Sequence, residues 1–165
     1  MAPEQVIDGI GGPAGLGSLN ASFAPSRTDF DWLSRDEAEV DAYIADPLCG
    51  FPLAEAAMTS IFHRAAATRH DPRLASISKD LSVLVISGQL DPVTGPCQAF
   101  TNALIDSWRA AGITGIEHQT YPGGRHAMFN ETNRQGVTAD LLDWLGRNVS
   151  RRRWRSMAVG HVPPC

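Results

Sequence analysis

This sequence lacks a membrane span, a disulfide framework and a strong excess of charge. No apolar stretch approaches the length of a bilayer span, and no basic N-terminal segment precedes an apolar run, so we expect neither a membrane span nor export. The cysteines number only three, Cys49, Cys97 and Cys165, and they lack the Cys-x-x-Cys spacing of a common metal site. Their odd number also argues against a disulfide framework, so the reducing cytoplasm is the expected location.

The low charge also limits the classes of partner. The formal net charge is -4, which argues against a nucleic-acid partner. One basic cluster lies near the C-terminal end beside Trp154 and consists of Arg151, Arg152, Arg153 and Arg155. This cluster could bind phosphate or an anionic surface, but we favour a solvated tail because no basic or aromatic pattern elsewhere supports binding.

The remaining composition is that of an ordinary folded domain. With 165 residues, of which 43% are hydrophobic and 19% charged, the chain suits one soluble domain with a real core. Changes in composition divide it into a glycine-rich loop or poorly ordered segment (1–27), a helical segment (28–79), a β-α-β-α unit (80–149) and a basic tail (150–165).

The helical segment is predicted to begin with a short helix. Ser34 and Glu37 form a capping-box pattern, in which each side chain bonds a free backbone amide of the first turn. The helix should end at about Ala45, because the following Asp46 precedes a proline and is disfavoured in helical geometry.

A second helix is predicted to open at Pro52. Its apolar residues recur at intervals of four and are Leu53, Ala57, Ile61 and Ala65, which predicts one covered side. His63 and His70 fall on or just beyond this helix. For both histidines we expect a surface or packing role.

The third segment has the pattern of an α/β unit. Ser82–Ser87 is an apolar run without polar alternation, typical of a strand covered on both faces of a parallel sheet. A helix should follow from Pro96 to a left-handed cap at Gly112, then a strand over Gly115–Tyr121 and a last helix over about 131–148. The two strands should be parallel with a right-handed crossover, and the fold class is therefore α/β.

Two side chains on the loops after these strands form the candidate site. Asp91 follows the first strand, and His126 stands on a Pro-Gly-Gly turn after the second. Loops at the carboxyl ends of neighbouring parallel strands meet at one rim of the sheet, so we expect the two side chains to face each other. The aspartate would orient and stabilise the imidazole while the histidine accepts a proton from a serine. A turn histidine without a catalytic role is the alternative.

A resemblance to a known family is carried by four stretches, which are Phe30–Asp36, Asp46–Phe51, Ser87–Val93, and Tyr121–His126 with Asn130-Glu131. Together they resemble the bacterial α/β-hydrolases called lysophospholipases or monoacylglycerol lipases, in the serine aminopeptidase-like branch of that fold. The resemblance implies that Asp91 is the acid and His126 the base of a serine hydrolase. It also implies a lipid-like acyl ester as substrate, no cofactor or metal, and a match between the helices of residues 27–69 and part of the family's cap.

One motif of that family is missing. Its members carry the nucleophile in Gly-x-Ser-x-Gly, and no such pentapeptide occurs in this sequence. Ser18, Ser87 and Cys97 could replace it locally, but none has the sequence surroundings of a nucleophile. We therefore expect a C-terminal half with a partial α/β-hydrolase fold, made of cap helices and the last two strands with their flanking helices, that is inactive alone. The alternative is a non-catalytic α/β binding or regulatory module, or the remnant of a truncated gene.

A sheet of two strands would also leave one edge open. Three or more strands are normally needed for independent stability. The run Val83–Ile86 would then present an apolar edge without a partner. We expect the chain to associate through this edge, either with itself or with the N-terminal half of the hydrolase.

Overall fold

A computed structural model describes residues 15–51, 53–68 and 71–158. Within these residues the α-helices are α1 (Glu37–Ala45), α2 (Glu55–Thr68), α3 (Ala99–Ala110) and α4 (Arg134–Ala158), and the strands are β1 (Val83–Gly88) and β2 (Ile116–Tyr121). Short 3-10 helices connect them at Gly15–Phe23, Pro72–Ser76, Pro92–Thr94, Pro96–Gln98 and Met128–Asn130. The predictions for residues 1–14, Pro52, His70, Cys165 and the tail from residue 159 onward lie outside the described residues.

The two strands form a parallel sheet, as the sequence predicted. They pair in register from Val83 opposite Ile116 to Gly88 opposite Tyr121. On one face Ile86 packs against a buried cluster of Tyr121, Met128 and Val137, which brings α4 onto the sheet. The order β1-α3-β2-α4 is therefore the predicted β-α-β-α unit.

The other face of the sheet is joined to the start of α3. The hydroxyls of Ser87 and Thr120 both donate to Oε1 of Gln98, at 3.1 and 3.3 Å. In the described part of the chain no strand pairs with the opposite edge of β1, and Val83–Ile86 are half-buried. That edge retains the backbone groups that a further strand would bond.

The segment before α1 is more ordered than its glycines predict. Gly15–Phe23 forms a 3-10 helix, in which Leu19 and Asn20 are buried. The Asn20 side chain donates to the carbonyl oxygen of Thr28 at 2.7 Å and accepts from the amide of Trp32 at 2.9 Å. The prediction of a loop is therefore wrong for this stretch, because side-chain hydrogen bonds to residues 28–32 fix it.

Helix α1 begins two residues later than the capping box predicts. Its N-cap is Asp36, whose carboxylate accepts from the amide of Ala38 at 3.2 Å. The Ser34 hydroxyl instead donates to the carbonyl oxygen of Asn130 at 2.8 Å and accepts from the amide of Asp36 at 2.9 Å. A contact with the loop after β2 thus replaces the local cap at Ser34.

Helix α2 departs most from its predicted packing. Leu53 and Ile61 are 44% and 51% exposed, and Ala57 and Ala65 are exposed as well. The apolar side of α2 is therefore not covered by the described part of the chain. His63 is also exposed, in agreement with a surface role.

Helix α4 is longer than the sequence predicts. It begins at Arg134 rather than near Glu131 and continues past Asn148 to Ala158. The backbone of the arginine-rich stretch is thus helical where a loose tail was expected. Neither α4 nor any other described helix is long and apolar enough to cross a membrane.

Candidate active site

The loops after β1 and β2 touch each other through backbone atoms. A Cβ atom at Gly88 would lie 2.1 Å from the carbonyl oxygen of Arg125 and 2.3 Å from that of Gly124. Only glycine fits there, because backbone carbonyls cannot rotate away. The amide of Leu90 also donates to the carbonyl oxygen of Gly124 at 2.8 Å. The close approach brings the ends of both loops to one rim of the sheet.

Asp91 opens the 3-10 helix Pro92–Thr94, and its two carboxylate oxygens have different partners. Oδ1 accepts from the amide of Val93 at 2.9 Å, which is the hydrogen bond of an N-cap. Oδ2 lies 3.1 Å from Nδ1 of His126. Because the first bond fixes the plane of the carboxylate, the second oxygen is held toward the histidine.

Backbone hydrogen bonds fasten the histidine loop to the segment before α1. The amide of His126 donates to the carbonyl oxygen of Trp32 at 3.3 Å, and that of Ala127 to Leu33 at 2.7 Å. The rings of Trp32 and His126 also pack together, with centroids 5.1 Å apart and planes inclined by 43°. The imidazole is therefore held by its own backbone and by an aromatic neighbour.

Asp91 and His126 together have the geometry of an acid–base relay. The aspartate side chain is only 8% exposed, whereas the imidazole is 40% exposed. When Nδ1 carries the proton, the Nδ1–H group donates a hydrogen bond to the Asp91 carboxylate. Nε2 then presents its lone pair to a reacting group. The pair can then take a proton from a hydroxyl and stabilise the imidazolium that forms. The structure thus brings together the two residues that the sequence singled out.

A buried carboxylate, which was not predicted to be a site residue, holds this loop in place. Glu131 is 0% exposed. Its Oε1 accepts from the amides of Arg125 (2.9 Å) and Arg35 (3.2 Å), and its Oε2 from Nε of Arg35 (2.8 Å) and the amide of Thr132 (3.1 Å). Four donors, one of them cationic, offset the desolvation of this carboxylate. In the sequence, Glu131 was marked only as part of Asn130-Glu131, one of the stretches that resemble the hydrolase family.

Arg125, next to the histidine, adds a second fastening. Its Nη1 donates to the carbonyl oxygens of Asp31 and Ser34, the latter at 3.1 Å. The guanidinium also lies 4.3 Å from the centroid of the Phe23 ring, a cation–π contact. The segment that precedes α1 is therefore bonded to the histidine loop by side chains as well as by backbone.

Ser87 is the alternative nucleophile that lies beside a histidine. Its Oγ is 2.8 Å from Nε2 of His118 and donates to Oε1 of Gln98 at 3.1 Å. Burial and the charge of Arg109 lower the pKa of His118, which favours the neutral form that could act as a base. Ser87 itself is only 4% exposed, so its hydroxyl is closed to a substrate. The contact joins β1, β2 and α3 and is suited to a structural role.

The other two candidate nucleophiles have less favourable surroundings. Ser18 belongs to the 3-10 helix Gly15–Phe23, which no described strand precedes. Cys97 is exposed, and its φ of 50° places the backbone in the left-handed region. Over the residues that the structure covers, no three His, Cys, Asp or Glu side chains are grouped to hold a metal ion.

Comparison with known protein families adds a finding that does not depend on this geometry. A family model described as "Serine aminopeptidase, S33" matches residues 13–133. The matched range includes both strands, Asp91, His126 and the segment that fastens the histidine loop. It covers well over half of the chain.

Proposed function

Because this chain belongs to the serine aminopeptidase S33 family, whose fold is that of the α/β-hydrolases, we propose that Asp91 and His126 are the acid and base of an ester-hydrolysing relay. The observation that carries the proposal is the 3.1 Å contact between Asp91 Oδ2 and His126 Nδ1. The acid of this pair is buried and the base is open to solvent. That contrast suits a base that must meet a substrate and an acid that must stay ionised beside it.

In this relay His126 moves protons and Asp91 holds its charge. Nε2 of His126 removes the proton from a serine hydroxyl while the serine oxygen bonds to the acyl carbon. The imidazolium then returns that proton to the alcohol oxygen as the ester bond breaks. Water next attacks the acyl carbon of the acyl-enzyme and gives a proton to Nε2 of His126. His126 returns this proton to the serine oxygen as the bond between that oxygen and the acyl carbon breaks, and the carboxylic acid is released. Asp91 stabilises the imidazolium in both halves of the cycle.

The proposed substrate is a lipid-like acyl ester of the monoacylglycerol or lysophospholipid type. Large apolar side chains next to the pair in sequence support this choice. Leu90, which precedes Asp91, is 52% exposed, and Phe129, in the 3-10 helix after His126, is 49% exposed. Exposed apolar surface beside an acid–base pair is suited to an acyl chain.

The nucleophile is proposed to come from a polypeptide segment other than these 165 residues, since they contain no Gly-x-Ser-x-Gly. The edge of β1 offers a place for such a segment to join. Its residues Val83–Ile86 are half-buried, and in the described residues the sheet has no third strand. A strand from the N-terminal half of the hydrolase, or from a second copy of the chain, would extend the sheet there.

The chain alone tests the missing serine. A fluorophosphonate probe reacts with activated serines, and we expect no labelling of the purified 165-residue chain. The variant Ser87→Ala is the control for the buried serine–histidine contact. Labelling of the wild-type chain that is lost in Ser87→Ala and kept in His126→Gln would locate the nucleophile at Ser87 and overturn the proposed relay.

A second experiment supplies the missing serine on a separate polypeptide. Mixed with a polypeptide that carries Gly-x-Ser-x-Gly, the chain should hydrolyse a monoacylglycerol. Asp91→Asn keeps an oxygen for the Val93 amide and should lower kcat by roughly 10⁴-fold, the loss known for the same change in Ser-His-Asp enzymes. His126→Gln should lower it by roughly 10⁶-fold. Hydrolysis that neither variant affects would favour the alternative function, a non-catalytic binding or regulatory module.

A further inference from the structure

Gln98 is the N-cap residue of α3, but its side chain makes no capping hydrogen bond to that helix. Its backbone has a φ of 59° and a ψ of 30°, and Cys97 before it has a φ of 50° and a ψ of 34°. Both residues therefore lie in the left-handed region, where residues other than glycine are strained. Such strain persists where surrounding contacts hold the chain in place, and it is often found at functional sites.

The Gln98 side chain is buried and joins both strands. The residue is only 8% exposed. Its Oε1 accepts from the hydroxyls of Ser87 and Thr120, and its Nε2 donates to the carbonyl oxygen of Gly88 at 3.2 Å. A carbonyl oxygen can only accept, so the bond to Gly88 fixes which end of the amide faces the hydroxyls. Both ends of this buried amide thus have partners, and the side chain is held in one orientation.

The carbonyl oxygen of Gly88 belongs to the turn that carries the proposed acid. Besides Nε2 of Gln98 it accepts from the amide of Asp91, also at 3.2 Å. The other side of the same peptide unit is bonded as well, since the amide of Gln89 donates to the carbonyl oxygen of Tyr121 at 3.0 Å. Gln98 therefore helps to fix the peptide plane from which the turn to Asp91 begins.

From these contacts we infer that Gln98 is a positioning residue for the proposed relay, which acts through Gly88 on the spacing of Asp91 and His126. Gly88 is suited to this task because it also lies directly against the backbone of residues 124 and 125 in the histidine loop. A shift of its peptide would displace the acid turn and the histidine loop relative to each other. The inference rests on the proposed function for the role of the pair, but the geometry of the pair can be measured without catalysis.

Proton NMR on the purified 165-residue chain reports this geometry. A His126 Nδ1–H that is bonded to Asp91 should give a low-field signal in the wild-type chain. Gln98→Met keeps an unbranched side chain but removes the donor to Gly88, and should remove the signal because the contact lengthens. Thr120→Val is the matched control, since it deletes a hydroxyl bonded to the same amide but leaves the donor to Gly88, and the signal should persist. A signal that is kept in both variants, or lost in both, would overturn the inference.

Gln98→Glu tests the same donor with almost no change in side-chain size, and it decides the question if Gln98→Met does not fold. Burial raises the pKa of the introduced carboxyl, which is neutral at about pH 5.5, where it can donate to Gly88, and ionised at about pH 9, where it cannot. Compared with the wild-type chain at each pH, the low-field signal should be present at the lower pH and lost at the higher. A signal that matches the wild-type chain at both pH values, or a wild-type chain without the signal, would overturn the inference.

Failure of this inference is distinguishable from failure of the relay. In the mixture with a polypeptide that carries Gly-x-Ser-x-Gly, Gln98→Met should lower kcat by roughly 10²-fold and leave KM unchanged, because a displaced pair affects bond making rather than binding. Hydrolysis that depends on His126, together with a low-field signal that persists in Gln98→Met, would remove the positioning role alone. Loss of the signal in Gln98→Met, without hydrolysis in the wild-type mixture, would remove the relay alone.

Discussion

The loops that follow β1 and β2 differ from helix α2 in their tertiary contacts within the described residues. The loops have many hydrogen bonds and backbone contacts to other elements, whereas the apolar side of α2 is left exposed. In the loops, the buried carboxylate of Glu131 accepts four hydrogen bonds, and Gly88 lies directly against the backbone of residues 124 and 125. On α2, Ile61 remains 51% exposed. A helix without a covered face draws little stability from packing. The site is therefore held by tertiary contacts, whereas α2 depends on its local hydrogen bonds.

Among the changes that test this contrast, removal of the Glu131 side chain should lower the free energy of unfolding most. Glu131→Ala leaves Nε of Arg35 and the backbone amides of Arg35, Arg125 and Thr132 without their acceptor, and should lower the free energy of unfolding by about 3–5 kcal/mol. Urea denaturation measures the loss. Glu117→Ala is the control, since this side chain is 50% exposed in a surface ion pair and should cost less than about 1 kcal/mol. Similar losses in both variants would contradict the role given to Glu131.

A methyl group at Gly88 should separate the two loops. Gly88→Ala places Cβ against two backbone carbonyls and should cost about 1–3 kcal/mol by overpacking. A His126 Nδ1–H that is hydrogen-bonded to Asp91 should give a low-field proton NMR signal in the wild-type chain, and Gly88→Ala should remove this signal because the Asp91 contact lengthens. Nothing lies within 4 Å of a Cβ at Gly146 in α4, so Gly146→Ala should raise stability by up to about 1 kcal/mol. A low-field signal that survives in Gly88→Ala would mean that other contacts hold the pair.

The smallest effect is expected on α2. Ile61→Gln should change the free energy of unfolding by no more than about 0.5 kcal/mol, because the side chain is already half in water. Val137→Ala, at a position that is 0% exposed, should cost at least about 1 kcal/mol. Chemical denaturation at two protein concentrations compares them. A loss at Ile61 that matches Val137 and grows with protein concentration would show that another chain covers α2.

Local patterns in the sequence were sufficient for the β-α-β-α unit and for the meeting of Asp91 with His126. The apolar run of β1, the Pro-Gly-Gly turn and the glycine cap at Gly112 act within a few residues, and Gly112 indeed has a φ of 92°. Parallel pairing then brings the two loops to one rim without further information. The family resemblance pointed to the same residues, and the family match covers them.

Contacts between distant residues account for what the sequence did not predict. The Ser34 hydroxyl bonds Asn130, so its capping pattern with Glu37 is not used. In the sequence, Glu131 has the appearance of an exposed glutamate near the start of a helix. It is buried because Arg35 and the amide of Arg125 donate hydrogen bonds to it. The apolar residues that recur every four positions around Ile61 correctly predicted a helix. This periodicity does not specify whether another part of a protein covers the apolar side of that helix.

The segment before α1 bears on how such a site can be moved between proteins. Ser34 contacts Asn130 and Arg125, and Arg35 contacts Glu131, across 91–96 residues of chain. A graft of residues 80–149 into another scaffold would carry Asp91 and His126 but leave this anchor behind. The transplanted protein would inherit the two residues and their paired strands without the hydrogen bonds that fasten the histidine loop to residues 31–35. Recombination among relatives should therefore exchange residues 30–35 and the histidine turn as a single inherited block.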